Sequence, residues 1–340
     1  MTILILGEYL SYKDNGEPFR DGNGKMFRAL LHKAGIQPNK CKWKLVFPFT
    51  PKGGFRALVG PKKEGIPNLK PVGTKYVKAE LFPQVELLWK YINKLQPTLI
   101  IAVGDLAMWA TTSESSIKAN RGRITPSHAG IPGLKVIPVY HPRAVQAEYK
   151  LRPILNADLA KAKAESLFRG LVRPQRFIHI APTLEDMEDF SNEFITPCTH
   201  LSVDIEVKGY EGKHPFIACV GFAPTTDRAL VVPFYSEARK SKNFWRTTRS
   251  ELQAWAFIRR TLRMGKLVGG QNYQYDTQYL WRKMGIKNPD FCWDTMLMHH
   301  AMQPEMEKGL GFLASLYTME VAWKFMHHNK SADKTVKRGD

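Results

Sequence analysis

The sequence is poor in cysteine, in acid and in long apolar runs, and each shortage removes a class of protein. There are four cysteines, Cys41, Cys198, Cys219 and Cys292, and no two of them form a C-x-x-C pair. Zinc knuckles and iron–sulfur clusters need such pairs, so no iron–sulfur cluster is expected. The four residues read as free thiols in a reducing compartment. No stretch is apolar for long enough to cross a bilayer, so no membrane partner is expected. The opening MTILILGEYL has neither a basic leader nor a small-residue cleavage site. It reads as a buried strand rather than a signal, and a cytoplasmic location is expected. Acid is scarce: 31 Asp and Glu stand against 50 Lys and Arg, a formal net charge of +19. The basic residues are spread along both halves, which favours a phosphate-rich partner such as DNA because neutralised phosphates release counterions. The plainer alternative is that the charge only keeps the protein soluble.

What is present is enough for two cores. At 340 residues, with 44% hydrophobic and 24% charged, the chain suits two globular domains. The first half alternates strand-like and helix-like segments. TILILGE, KWKLVFPF, PTLIIAVG and GLKVIPVYHP are apolar strand candidates; NGKMFRALLHKAGI and LFPQVELLWKYINKLQ have helical spacing of apolar residues. That alternation implies a mostly parallel sheet covered on both faces. LRPILNADLAKAKAESLFRG reads as a closing helix and LVRPQRFIHIAP as an extended linker. The boundary is placed so that the domains are 1–171 and 172–340. After it come three adjacent strand candidates, HLSVDIEV, FIACVGFA and RALVVPF, and then helices, the pattern of a mixed sheet. KKEGIPNLKPVGTKY reads as a basic surface loop that nucleic acid could touch.

The chemistry gathers in the second half. In SVDIEV, Asp204 and Glu206 are alternate residues of an apolar strand, so both carboxylates project from one face while Val203, Ile205 and Val207 face the core. Two like charges side by side on a central strand are costly unless a cation lies between them, and carboxylates suit Mg²⁺ or Mn²⁺. The alternative is an exposed edge strand with solvated acids. In KLVGGQNYQYDTQYLWRKMGI, a strand and a glycine turn lead into a helix opening near Tyr273, with Asp276 in its first turn. An acid there also fits simple helix capping.

Taken together, SVDIEV resembles the first motif of the DEDD-type 3′–5′ exonucleases and QNYQYD their second. The continuation WDTMLMHHAMQPEMEKGLGFLASLYTMEVAWK is similar to the same region of phage and bacterial family A DNA polymerases, where this exonuclease proofreads. The resemblance runs from about Phe177 to Lys324. It implies a ribonuclease H-like fold and hydrolysis of the terminal phosphodiester with two metal ions, Mg²⁺ or Mn²⁺. Asp204 and Glu206 would hold one ion, Asp204 and Asp276 the other. Asn272 would steady the turn or a substrate phosphate, and Asp294 would be structural. The family's third motif, Tyr-x3-Asp or His-x4-Asp, is missing as a Tyr-x3-Asp beyond Tyr317. His328 and Asp333 have the alternative spacing in a polar segment. A polymerase domain or subunit continuing the chain is therefore expected as a partner, with single-stranded 3′ ends and primer-template as the DNA.

The first half resembles the uracil-DNA glycosylases of the iron–sulfur, thermophile-type branch, through NGEPFRDGNGKMFRALLHKAGI, LIIAVGDLAMWA, RGRI and VYHPRAV over roughly residues 1–165. The resemblance implies a doubly wound α/β fold that flips a base out of DNA. Glu8 falls in the Gly-Glu motif, Phe19 on the aromatic that stacks uracil, His141 on the His-Pro motif, and Arg121 with Gly122 on the Arg-Gly before it; all are expected DNA contacts. The departures are Tyr9-Leu10-Ser11 where Pro-Gly should follow, Leu45 where a base-reading asparagine is expected, and the missing cluster cysteines. A site without its hydrogen-bonding side chain loses discrimination. The expected protein is thus a degenerate uracil-DNA glycosylase-like domain followed by a mixed-sheet 3′–5′ exonuclease domain. Its rivals are a non-catalytic DNA-binding clamp and an active uracil glycosylase carrying an inert exonuclease domain.

Overall fold

Five apolar residues, Leu99 to Val103, form a strand in which every side chain is fully buried, as expected where helices cover both faces of a parallel sheet. They belong to a computed structural model that describes residues 2–14, 16–128, 133–172, 174–209, 215–287 and 292–320. It divides into two compact units: the described residues of 1–173 with 311–320, and those of 174–310. The expected boundary at 171/172 thus lies two residues from the division, and residues 311–320 group with the first unit instead of the second.

The main elements of the first unit are β1 (Ile3–Tyr9), α1 (Gly22–Lys33), β2 (Lys42–Phe47), α2 (Phe82–Leu95), β3 (Leu99–Val103), α3 (Asp105–Thr112), β4 (Thr125–Pro126), β5 (Lys135–Val139), α4 (Pro142–Ala147) and α5 (Leu151–Glu165). The sheet order is β2-β1-β3-β5-β4; the first four strands are parallel and β4 runs antiparallel at the edge. Strand alternation sends Leu4, Leu6 and Ile100 into one core with Leu88, Ile92 and Trp109. It sends Ile5, Leu99 and Ile101 into another with Phe27, Leu31, Leu155 and Leu159. This is the doubly wound arrangement, and it brings the C-terminal ends of β1, β3 and β5 to one edge, where such folds place ligands. The expected basic loop is only partly a loop: Lys62, Lys63 and Lys75 are exposed, but Ile66, Val72 and Val77 are buried and pin it to the core.

The second unit contains β6 (Phe177–Ile180), α6 (Leu184–Phe190), β7 (His200–Lys208), β8 (Phe216–Ala223), β9 (Arg228–Pro233), α7 (Thr248–Leu262), β10 (Leu267–Gly270), α8 (Tyr273–Met284), β11 (Cys292–Asp294) and α9 (Thr295–Met302). Its sheet order is β11-β10-β7-β8-β9-β6. β8 is antiparallel to β7 and β9, while β10 is parallel to β7 and β11 to β10. The five strands from β7 onward therefore lie in the order 3-2-1-4-5, three antiparallel and two parallel, which is the ribonuclease H-like sheet. β6 corrects the linker reading. Its four residues are all exposed, yet they pair in parallel register with Arg228 to Val231 as an added edge strand. Leu201, Val203 and Ile205 of β7 enter a core with Phe257, Ile258 and Leu280.

Candidate functional site

β7 is an interior strand of its sheet, flanked by β10 and β8, so the edge-strand alternative for its acids does not hold. Along it Val203 and Ile205 are buried, while Asp204 and Glu206 are exposed on the other face. Small residues lie opposite on the same face: Gly221 pairs with Asp204, Cys219 with Glu206 and Ala223 with Ser202. With no bulky neighbour on β8 to cover it, Asp204 lines a cleft of about 370 Å³ together with Gly221, Ala223, Gln271 and Trp293.

The third acid arrives through a gap in the ladder. β10 pairs with β7 only as far as Gly269 opposite Ser202, which leaves the Ile205 N–H without a strand partner on that side. The chain then turns sharply. A Cβ on Gly269 would lie 2.1 Å from the Trp293 carbonyl oxygen, and one on Gly270 2.5 Å from that of Val203, so neither position tolerates a larger residue without a shift. Asn272 takes the left-handed conformation, φ 57°, and α8 begins. In its first turn Asp276, only 3% exposed, uses Oδ1 to accept the Ile205 N–H at 2.8 Å. Burial, and then the negative charge of Asp204, push the Asp276 carboxyl up to about 6. The helix acid is thereby fixed to the strand between Asp204 and Glu206.

Asn272 is exposed, and its contribution visible here is the turn itself, since its side chain makes no capping bond. Asp294 is structural: it accepts the N–H groups of Asn272 and Tyr273 at 3.0 and 2.8 Å and caps α9 through Met296 at 2.8 Å. Two residues at the site escaped the sequence reading. Tyr275, immediately before Asp276, is 45% exposed, and its phenol feels Asp276 and Glu206 beside its partner Tyr279. Lys208 is the next same-face residue after Glu206; strand alternation alone would have singled it out. His328 and Asp333 lie outside the described residues.

The donor set is all hard oxygen, the kind that Mg²⁺ and Mn²⁺ prefer, and a cation would offset both the burial and the Asp204 charge that raise Asp276. In that sense the residues fit the expected ions. Among the described residues, however, no three His, Cys, Asp or Glu side chains are close enough to close around an ion. Asp276 feels the charge of Asp204, and Glu206 lies farther along the same face of β7.

The first unit carries a pocket of about 330 Å³ at the C-terminal end of β1, with Glu8, Asp14, Phe19, Leu45 and His141 among its walls. Glu8 Oε1 accepts the Leu106 N–H at 3.0 Å at the start of α3. It fits because Gly104, φ 93°, has no Cβ; one would lie 2.6 Å from the Glu8 carboxyl. Burial pushes Glu8 up to about 7. Asp14 organises the following loop by accepting the N–H groups of Ser11, Arg20 and Asp21 at 3.0, 2.9 and 3.2 Å. That loop delivers Phe19, φ 58°, whose ring lies on Gly7 and near-parallel to His141, with centroids 5.9 Å apart. His141 Nδ1 accepts the Arg143 N–H at 3.1 Å, and burial, then the charge of Arg143, lower its pKa to about 4. At neutral pH His141 is therefore the uncharged tautomer with its proton on Nε2. A planar ring, a neutral imidazole and a carboxyl that burial holds toward its protonated form thus line one pocket.

Arg121 departs from its expected role as a DNA contact. It is 2% exposed and pairs with the fully buried Asp158 at 2.9 Å. Gly122, φ 66°, is bare because a Cβ would lie 2.1 Å from Asp158 Oδ1. The Ser315 carbonyl accepts from both Arg121 and Lys161, which explains why residues 311–320 group with this unit. The Arg-Gly pair is a buried brace and does not face a phosphate.

Comparison with known protein families bears on the first unit. Residues 1–164 match the family model of the uracil DNA glycosylase superfamily. The first unit is uracil-DNA glycosylase-like. A search of curated proteins found no match. Solved structures similar to part of the chain include the Nibbler EXO domain of Aedes aegypti, at 12% identity, covering 47% of this chain and 77% of that one, TM-score 0.34. Another is RNase D of Trypanosoma brucei in its GMP complex, at 13% identity, 47% of each chain, TM-score 0.35. A third is RNase D of Escherichia coli, an exoribonuclease involved in structured RNA processing, at 10% identity, 42% of this chain and 34% of that one, TM-score 0.32. The chain thus spans about half, or a third, of the two RNase D chains. No helix among the described residues is long and apolar enough to cross a membrane.

Proposed function

We propose that the second unit is a metal-dependent 3′–5′ exonuclease acting on DNA, the proofreading module of a family A type DNA polymerase. The observation that carries this reading is the bond from the Ile205 N–H to Asp276 Oδ1 at 2.8 Å. It binds the helix acid to the strand that carries Asp204 and Glu206, where Asp204 lines an open cleft. Asp204 and Asp276 would hold Mg²⁺ or Mn²⁺, with Glu206 drawn in on binding. Bound divalent ions would supply charge neutralisation at the phosphodiester and a more acidic water. The chain's own contribution is to hold the acids rigidly, to exclude bulk from the floor with Gly221 and Ala223, and to present Tyr275 and Asn272 at the rim. The test is digestion of a 5′-labelled single strand with Mn²⁺. The wild type is expected to give products shortened one nucleotide at a time, and Asp204→Ala none. No shortening by the wild type, or an identical ladder from Asp204→Ala, would overturn the reading.

A second reading applies to the first unit and is favoured by its intact pocket. The stacked Phe19 and His141 beside Glu8 support a seat for an extrahelical base. Leu45 presents no hydrogen bond to a base edge, which supports holding over excision. Incubation with uracil-containing DNA tests this: few or no abasic sites are expected. Efficient abasic-site formation that is lost in Glu8→Gln and His141→Asn would instead make this unit an active glycosylase.

A further inference from the structure

Residues 236–249, which run from the chain after β9 into the first two residues of α7, carry Arg239, Lys240, Lys242, Arg246 and Arg249 against the single acid Glu237. Lys240, Lys242, Arg246 and Arg249 are exposed. The segment is built stiffly. The Phe244 N–H donates to the Phe234 carbonyl at 3.1 Å and that of Ser236 to Lys242 at 3.0 Å. Asn243 ties it to α7 through Glu251 at 2.7 Å.

Beside it opens a cleft of about 530 Å³ walled by Phe216, Tyr235, Lys242, Trp255 and Lys283. Its floor is rigid, since Phe234 stacks on Trp255 with centroids 3.8 Å apart and planes 11° from parallel. Phe216 is 42% exposed and lies 5.8 Å from the Tyr235 ring. The cleft is joined to the acids by one strand. Lys208 shares the face of Asp204 and Glu206, about 7 Å beyond Glu206. It pairs with Phe216 across the ladder, and its ammonium sits 3.8 Å from the Tyr235 ring centroid while donating to Glu237 Oε1 at 2.8 Å. Exposed aromatic faces interleaved with lysine and arginine are what a single strand needs, because bases stack on the rings while phosphates meet the cations.

We propose that this aromatic cleft and its basic hairpin seat single-stranded DNA, with bases on Phe216 and Tyr235 and phosphates on Lys240, Lys242 and Arg246. The inference rests on the exonuclease reading only for what happens next: the strand held here is the one whose end reaches Asp204 and Asp276. Binding itself needs neither metal nor hydrolysis.

The experiment measures anisotropy of a fluorescein-labelled oligothymidylate of about fifteen nucleotides against the full chain in EDTA, across about 50 to 200 mM salt. The combined Lys240→Gln, Lys242→Gln and Arg246→Gln variant, altered only at exposed side chains, is expected to bind about tenfold more weakly. Its logarithmic salt slope should be shallower by about two. Phe216→Ala with Tyr235→Ala is expected to lose about tenfold or more on the single strand and nothing on a duplex of the same length, whose bases are already stacked. Wild-type affinity in the charge variant would overturn the proposal, as would equal losses on single strand and duplex in the aromatic variant. Failure of the exonuclease reading would appear separately, as unchanged hydrolysis in Asp204→Ala, and would not alter these binding results.

Discussion

Replacing Asp276 by asparagine separates the geometry of this carboxylate from the cost of its charge. The amide oxygen keeps the acceptor that the Ile205 N–H uses at 2.8 Å, so the tie between α8 and β7 is retained. What disappears is a negative charge buried next to Asp204. Burial and that neighbour raise the carboxyl from its ordinary value of 3.8 to about 6, which corresponds to about 3 kcal/mol against the ionised form. Because the folded value lies above the unfolded one, the folded state holds the proton more tightly. The penalty is absent below about pH 4, grows as the pH rises, and is complete above about pH 6. Asp276→Asn should therefore stabilise the protein by up to about 3 kcal/mol at about pH 8 and change little at about pH 4. Urea unfolding at the two pH values reads this directly. The variant should at the same time lose metal-dependent hydrolysis. A loss of stability at pH 8 equal to that at pH 4 would refute the idea that the carboxylate is held against its own electrostatics.

Three further substitutions probe the rest of the molecule. Arg121→Met leaves Asp158 buried without its main partner and should cost about 3–5 kcal/mol in urea unfolding. Any loss of DNA affinity should follow the loss of fold; weaker binding by a fully stable variant would reinstate Arg121 as a DNA contact. Gly104→Ala forces a Cβ toward the Glu8 carboxyl at a positive φ and should destabilise by about 1–3 kcal/mol, read as a lower Tm. Glu8→Gln removes a charge whose folded pKa is raised from 4.5 to about 7. It should stabilise by up to about 3 kcal/mol above about pH 7 and hardly at all near pH 4, checked by the same unfolding series.

The parts of the fold that could be read from the sequence are those governed by near neighbours. The alternation of Val203, Asp204, Ile205 and Glu206 announces a strand with an acid face. The continuous run Leu99 to Val103 announces a buried parallel strand. What escaped depends on residues far apart in the chain. Arg121 looks like a DNA contact beside Gly122, and only Asp158, brought in by α5, turns it into a buried brace. Phe177 to Ile180 reads as linker because Pro174 and Pro182 flank it, while in the structure its exposed residues pair through the backbone with β9. Asp276 can be proposed from its place after Asn272, but its bond to the Ile205 N–H exists only because β10 leaves the ladder early. The basic segment at 236–249 is hidden for the opposite reason: in a chain with charge spread throughout, five nearby cations do not stand out until Phe216 and Tyr235 are placed beside them.

The central claim is that Asp204 and Asp276 together form a seat for a divalent ion. Titration of Mn²⁺ followed by electron paramagnetic resonance tests it without substrate, and so without dependence on any other part of the reaction. Saturable binding by the wild type, lost in Asp204→Ala and in Asp276→Asn while both variants remain folded, is the predicted result. Equal Mn²⁺ binding by the wild type and both variants, or no saturable binding by the wild type, would contradict it.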